Sequence, residues 1–436
     1  MRFEERFALM NVSVIDGNGG DIINDAAVVI NGKKIEKVCP ALEVTEPELQ
    51  KIDLKGKYVM PGLIDAHVHL TGVPDFKYWG LVEPAAAQAN SYTQALKMLK
   101  HGFTGIRDIS ENGLFLKRAF RVPGVIGPRI VACGRGLNRT GGHCDGIHFD
   151  EFGFEDRVNF IARRADGEDE IRTAIRSIIR QGADQIKFWA TGGGHNMIDR
   201  FRDVHYTREE ITAICKEAKL IDGMRVVAHC EDPDLSAHCI EAGTDSIEHA
   251  DGYSPEIADL MLEHGTYYIP TMRLLVNWQS DYMDEGLQHF EQDKLGPFFQ
   301  MNDGELVDPP DVTEDFNRMI IELFQDAVDR GIRIGMGSDT IWENMTPYGE
   351  YSVLEMMSMQ KYGMTAKQVI TAATKTNAGV LGLEDVLGTV EEGKYADLLV
   401  LGKDPTRDVG VFREDDLIEY IFRDGKLAMD HGMLKV

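Results

Sequence analysis

The sequence predicts an α/β fold: a (β/α)8 barrel of the TIM type, with a small β-sandwich built from both chain ends. Three observations carry this. From about residue 58 to about 385, apolar strand candidates alternate with helical stretches, at 63–69, 103–109, 129–133, 185–190, 225–230, 245–249, 266–271 and 332–337. Eight such units over about 330 residues suit a barrel with insertions. No Gly-rich phosphate loop follows the first of these strands, as an open doubly wound sheet would usually carry. Both termini read as β-structure instead of β/α repeats.

Phe7–Val14 reads as a strand, and Ala27–Ile30 with Lys34–Val38 reads as a hairpin turning at Asn31-Gly32. Asn-Gly favours the type I′ turn, whose two central residues need positive φ. Glu419–Arg423, Asp424-Gly425 and Lys426–Met429 repeat the device, and Ala396–Leu401 has the apolar run of a buried strand. The expected division is a sandwich from 1–58 and 386–436 around a barrel from 59–385. Within the barrel, Thr207 and Glu210 form a capping box ahead of Ile211, Ile214, Cys215, Ala218 and Ile221, stopped at Gly223. Ile171, Ala174, Ile175, Ile178 and Ile179 make a second helical stripe, ended by Gly182. Residues 275–315 exceed a normal barrel loop. Their aromatics Trp278, Tyr282, Phe290, Phe298 and Phe299 suggest a packed subdomain or lid, with Asp281, Asp284 and Glu285 on it.

Composition narrows the function. The 436 residues are 43% hydrophobic and 27% charged, as in a globular enzyme. A net charge of −26 argues against nucleic acid or an anionic membrane as partner. The segment MRFEERFALM is too charged for a signal peptide, and no 18-residue apolar run suggests a membrane span. Six cysteines without paired spacing fit a reducing compartment, so a cytoplasmic protein is expected. A homo-oligomer is expected as well.

Catalytic groups of a barrel sit at the C-terminal ends of its strands. His67 and His69 end the first strand, and residues two apart project to one side. Two converging imidazoles make half of a zinc-type site. The fourth strand carries an inward Lys187, the fifth ends in His229, the sixth in His249 and the eighth in Asp339. His143 follows the third strand, where it could reach over the site. Weaker candidates for substrate contact are His195 and Tyr206 on the long loop after strand four. Arg273, Arg139, Arg200 and Arg202 are candidates to clamp a substrate carboxylate.

The chain resembles the amidohydrolase superfamily over nearly its whole length. The resemblance rests on PGLIDAHVH at 61–69, Lys187, His229, His249, the GSD ending in Asp339, and Gly388–Leu401. It is similar to the subtype with two divalent metals bridged by a carboxylated lysine. Thr140-Gly-Gly-His143 and Lys187 to Gly194 point to the imidazolonepropionase-related group that includes prolidase-like dipeptidases. The resemblance implies zinc or a similar ion held by His67, His69 and Asp339, a second ion at His229 and His249, and a CO2-derived carbamate on Lys187 between them. It implies hydrolysis of an amide or peptide bond in a dipeptide or other small molecule by a metal-bridging hydroxide, as in a prolidase-like dipeptidase or carboxypeptidase. Asp339 would shuttle its proton, and His143 would polarise the carbonyl. The alternative is a cyclic amidase of imidazolonepropionase type or an aminohydrolase acting on a heterocycle, and Lys187 counts against it.

Overall fold

The computed structural model describes residues 3–75, 78, 82–145, 160–193, 199–200, 202–276, 301–302, 305–306 and 314–435. Near the N-terminus lie β1 (Arg6–Val14), β2 (Ile23–Asn31), β3 (Lys34–Pro40), β4 (Gln50–Asp53) and β5 (Tyr58–Pro61). The central strands are β6 (Leu63–Val68), β7 (Phe103–Asp108), β8 (Arg129–Ala132), β9 (Gly136–Asn138), β10 (Ala162–Arg164), β11 (Gln185–Trp189), β12 (Arg225–His229), β13 (Ser246–Glu248) and β14 (Tyr267–Ile269). A short pair, β15 (Met301–Asn302) and β16 (Glu305–Leu306), precedes β17 (Leu398–Leu401), β18 (Ile418–Arg423), β19 (Lys426–Asp430) and β20 (Met433–Leu434).

The two chain ends meet in one nine-stranded sheet of order β20-β19-β18-β17-β5-β1-β2-β3, with β4 beside β1. The seam is β5 against β17, antiparallel, pairing Met60 with Leu399 and Val59 with Val400. β17 is buried on both faces, which accounts for its unbroken apolar run. Leu398 and Val400 join Phe7, Val28 and Phe422 in the core of the end sheet. Leu399 and Leu401 point the other way, into the large central core. The two hairpins differ. At the C-terminal turn Arg423 pairs with Lys426, and both Asp424 and Gly425 have positive φ, as a type I′ turn needs. At the N-terminal one Asn31 itself pairs with Lys34, so the turn centres on Gly32-Lys33, one residue later than expected.

The central strands pair in parallel, β6-β7-β8 in one sheet and β10-β9-β11-β12-β13-β14 in another. The Asp184 amide donates to the Ala132 carbonyl (2.8 Å), linking the end of β8 to the entry of β11. Parallel bridges Tyr268–Ile334 and Val68–Thr340 set residues 334–340 between β14 and β6. The strand expected at 332–337 therefore exists only as isolated bridges. A Cβ on Gly337 would fall 2.4 Å from the Ile269 side chain and 2.8 Å from His67 Cβ, and side chains hold the segment in place. Asn377 Nδ2 donates to the Met336 and Ile64 carbonyls (2.7 Å each), and Asp65 accepts from the Ser338 amide (3.1 Å).

The helix Arg208–Ala218 starts at the expected capping box and buries Ile211, Ile214, Cys215 and Ala218. It ends before Ile221, which is exposed instead of joining that face. The helix Gly167–Arg180 buries Ile171, Ala174, Ile175 and Ile178. Of the expected lid, the described parts are the end of the helix Met272–Val276 and the β15–β16 pair. Its Trp278, Tyr282, Phe290, Phe298, Phe299, Asp281, Asp284 and Glu285 lie outside the described residues. Among the described residues no helix is long and apolar enough to cross a membrane.

Candidate metal centre

The site forms where β6, β12, β13 and residues 334–340 end side by side. Asp65 accepts from the His67 amide (3.0 Å), and the Asp339 amide donates to the His67 carbonyl (2.8 Å). These bonds bring Asp339 Oδ1 to 3.3 Å from His67 Nε2 and 3.0 Å from His69 Nε2. His69 Nδ1 faces the Ile109 carbonyl (2.9 Å), which can only accept, so Nε2 carries the free lone pair. His249 Nδ1 is held 2.9 Å from Thr271 Oγ1. The His249 ring lies 5.4 Å from that of His67 and 4.4 Å from that of His229. Donor atoms of His67, His249 and Asp339 lie within 4.8 Å of one another, as do those of His229, Glu231 and His249. His249, Thr271 and Asp339 all have positive φ (79°, 46° and 56°). Such strain in non-glycine residues gathers where the surroundings force a side chain into place.

Burial sets the protonation states. It pushes His67 down to about 4, with Asp339 opposing and Lys187 reinforcing the shift. Burial likewise holds His229 and His249 well below the ordinary histidine range. Burial alone would raise Asp339, but the facing His67, His69 and His249 outweigh it and keep the carboxyl well below its usual range. Lys187, on β11, is buried, and burial lowers its ammonium pKa. Among the described residues its Nζ has no hydrogen-bond partner. Neutral imidazoles, an ionised carboxylate and an unpartnered buried amine together fit divalent metal ions.

Known proteins share this arrangement of strands. The profile of the Amidohydrolase family matches residues 58–428. The chain belongs to the amidohydrolase family. An ochratoxinase from Aspergillus niger is 27% identical over 448 residues, covering 99% of this chain and 88% of that one. The structure of a prolidase complexed with N-methylphosphonate-L-proline aligns with a TM-score of 0.83 and 27% identity, covering 98% of this chain and all (100%) of that one. A Xaa-Pro dipeptidase with bound methionine aligns at 0.80 and 27%, covering 97% and 99%. The chain is thus a hydrolase of the amidohydrolase family.

Around this amidohydrolase cluster the structure adds residues that the sequence did not single out. Glu248, on β13, accepts from Arg107 Nη2 with both oxygens (2.8 Å each) and from Ser246 Oγ (2.6 Å). Its Oε2 also lies 2.7 Å from His67 Nδ1. Burial would raise Glu248, but Arg107 and His67 keep it ionised. The available signal was a charge inside each of two apolar strands, FTGIRD and SIE. Asp199 is the other addition. Its Oδ2 lies 2.6 Å from His143 Nδ1 and accepts from the Gly193 amide (3.1 Å), while Oδ1 lies 3.3 Å from His205 Nε2. His143 in turn stacks on His229 at 4.6 Å.

The remaining candidates separate. Tyr206 does not face the cluster: its hydroxyl donates to the Ala165 carbonyl (3.0 Å), and its ring packs near Phe188, on the side of β11 opposite Lys187. It is a core residue, correcting the expectation of a substrate contact. His195 lies outside the described residues. Arg273 is buried at the start of the helix Met272–Val276, where Glu355 accepts from the Met272 and Arg273 amides (2.9 and 2.6 Å). Arg139 is half-buried, whereas Arg200 and Arg202 are exposed.

Proposed function

We propose that this chain is a metal-dependent dipeptidase of prolidase type, which hydrolyses the amide bond of small dipeptides. The observation that carries the reading is the convergence of His67, His69, His249 and Asp339, with His229 beside His249, and the buried Lys187, whose charge acts on His67, His229 and His249. His67, His69 and Asp339 would hold one divalent ion, zinc being the expected metal, and His229 with His249 a second. When bound, such ions supply Lewis acidity and activate water near neutral pH.

Lys187 fits the bridge between the two sites. Its lowered ammonium pKa favours the free amine, which adds to CO2 through an N–C bond, loses one N–H proton and becomes an anionic carbamate. Asp339, ionised and held by two imidazoles, is suited to take the proton of the attacking water and pass it to the leaving nitrogen. His143, with Nδ1 anchored on Asp199, would turn Nε2 toward the substrate carbonyl. The prolidase and Xaa-Pro dipeptidase relatives support a dipeptide substrate. The same reading takes the parallel strands and the bridges at 334 and 340 as one closed (β/α)8 barrel over 59–385. The end sheet would then be a separate sandwich domain from 1–58 and 386–436.

A dipeptide panel that includes Xaa-Pro and Xaa-Arg members tests the reading, with amino-acid release followed by mass spectrometry. Release that disappears in Asp339→Asn is the expected result. Turnover of cyclic amides or aminated heterocycles with no dipeptide cleaved would transfer the assignment to the cyclic amidase or deaminase class.

A further inference from the structure

His249 is held by a chain of contacts that ends on a distant helix. Its amide donates to the Ile269 carbonyl (2.8 Å), and its Nδ1 lies 2.9 Å from Thr271 Oγ1. That hydroxyl fixes the ring, so the direction of Nε2 depends on the backbone that carries Thr271. The backbone there is strained. Thr271 is buried with φ at 46°, an outlier for a β-branched residue. Such strain persists only where the surroundings hold it in place.

Glu355 supplies the hold. It stands on the helix Glu350–Lys361 and is buried. Its Oε1 accepts from the Met272 amide (2.9 Å) and its Oε2 from the Arg273 amide (2.6 Å). The Met272 amide belongs to the rigid peptide plane directly after Thr271, so the first of these bonds restrains ψ of Thr271. Both amides open the helix Met272–Val276, where N–H groups of the first turn have no partner within the helix. One carboxyl group therefore satisfies two of them and locks the segment.

The same helix reaches the other wall of the site more lightly. Ser352, three residues earlier on the same face, donates from Oγ to Ser338 Oγ (3.3 Å), next to Asp339. The Asp339 segment also has its own bonds, from the Ser338 amide to Asp65 (3.1 Å) and from the Asp339 amide to the His67 carbonyl (2.8 Å). It depends less on the helix than Thr271 does.

We infer that Glu355 is a positioning residue for His249, acting through Thr271, and that it sets metal affinity at the His229–His249 site in preference to the His67–His69–Asp339 site. This rests on the metal-dependent reading above and adds a residue to it.

The test titrates metal-free protein with Co2+, whose absorption reports each ion as it binds. His229→Asn identifies the step that belongs to the His229–His249 site. Glu355→Gln keeps one acceptor oxygen and sets an NH2 group against the other amide. It should weaken that step by about tenfold or more and the other step by less than about threefold. Ser352→Ala, on the same helix face, should leave that step within about threefold, which separates positioning from a loosened helix. Adding Glu355→Gln to Thr271→Val should cost no more than about threefold beyond Thr271→Val alone, because the two residues act in one chain. In 15N-histidine NMR of the metal-free protein, Glu355→Gln should also shift the His249 ring signals. Equal weakening of both steps, or fully additive effects of the two substitutions, would overturn the inference. So would wild-type affinities with unshifted His249 signals. Glu355→Met, which loses both acceptors, is read in the same way if Glu355→Gln does not fold. If wild type binds no Co2+ while Glu355→Gln moves the His249 signals, the metal reading falls and the positioning role stands.

Discussion

The end sheet and the cluster at the strand ends bury very different side chains. In the sheet, Phe7, Val28, Leu398 and Phe422 pack together, with the rings of Phe3 and Phe7 4.9 Å apart and those of Phe7 and Phe422 5.5 Å apart. Each such side chain contributes about 1.5–3 kcal/mol by leaving water. Near His67 the buried residues include Asp65, Arg107, Lys187 and Glu248, with Asp339 half-buried. Burying a charge costs several kcal/mol unless it is paired well, and burial lowers the ammonium pKa of Lys187, whose Nζ has no hydrogen-bond partner among the described residues. Folding explains the first region. The second is explained only by what it does, and three strained residues in its walls point the same way.

The contrast can be broken most strongly at Arg107. Arg107→Met leaves Glu248 ionised and uncompensated, and denaturant unfolding should show a loss of about 3–5 kcal/mol. Replacing both partners, as Arg107→Met with Glu248→Leu, should recover most of that stability. Metal affinity should stay weakened, because His67 Nδ1 has lost the carboxylate that orients it. Recovery of both properties would make the pair merely structural. In the end sheet, Leu398→Ala should cost about 2–4 kcal/mol and leave metal content unchanged.

A pH series on chelator-treated protein sharpens the comparison. His67 sits at about 4 in the fold against an ordinary 6.5. As pH falls below 6.5 the unfolded chain binds that proton first, so stability is full above 6.5 and declines toward 4, by up to about 3 kcal/mol. Asp65 runs the other way: burial raises it to about 6 from 3.8, so the fold takes its proton first and gains stability as pH falls through 6. The difference between wild type and His67→Asn isolates the histidine, and a flat difference between pH 6.5 and 4 would contradict its burial as a neutral ring. The smallest stability effect is expected at Asp199. Asp199→Asn should lower kcat by about 10–100-fold while shifting stability by about 1 kcal/mol, because it releases the orientation of His143. An unchanged kcat would remove His143 from the site.

Much of this was legible because side chains alternate along a strand and the parallel strands end at the site. His67, His69, His229 and His249 each close an apolar run, and the period of two alone puts Lys187 on the face opposite Phe188. What stayed hidden depends on contacts between distant segments. The value of Glu248 comes from Arg107, 141 residues away, and that of Asp199 from His143, 56 residues away on another loop. Tyr206 read as a loop residue near the substrate, but its side chain turns to the outer face of β11. The eighth strand was legible as an apolar run, yet Gly335 and Gly337 let it press against neighbouring side chains, leaving only isolated bridges. The turn at Gly32-Lys33 was set by cross-strand register more than by the Asn-Gly pair.

The central claim is that Lys187 is a carbamate between two metal ions. Elemental analysis of protein purified without chelator, combined with the native intact mass, tests it most directly. The account predicts about two metals per chain and an adduct of about 44 Da that disappears in Lys187→Ala. A single metal with no adduct on the wild-type chain would contradict it.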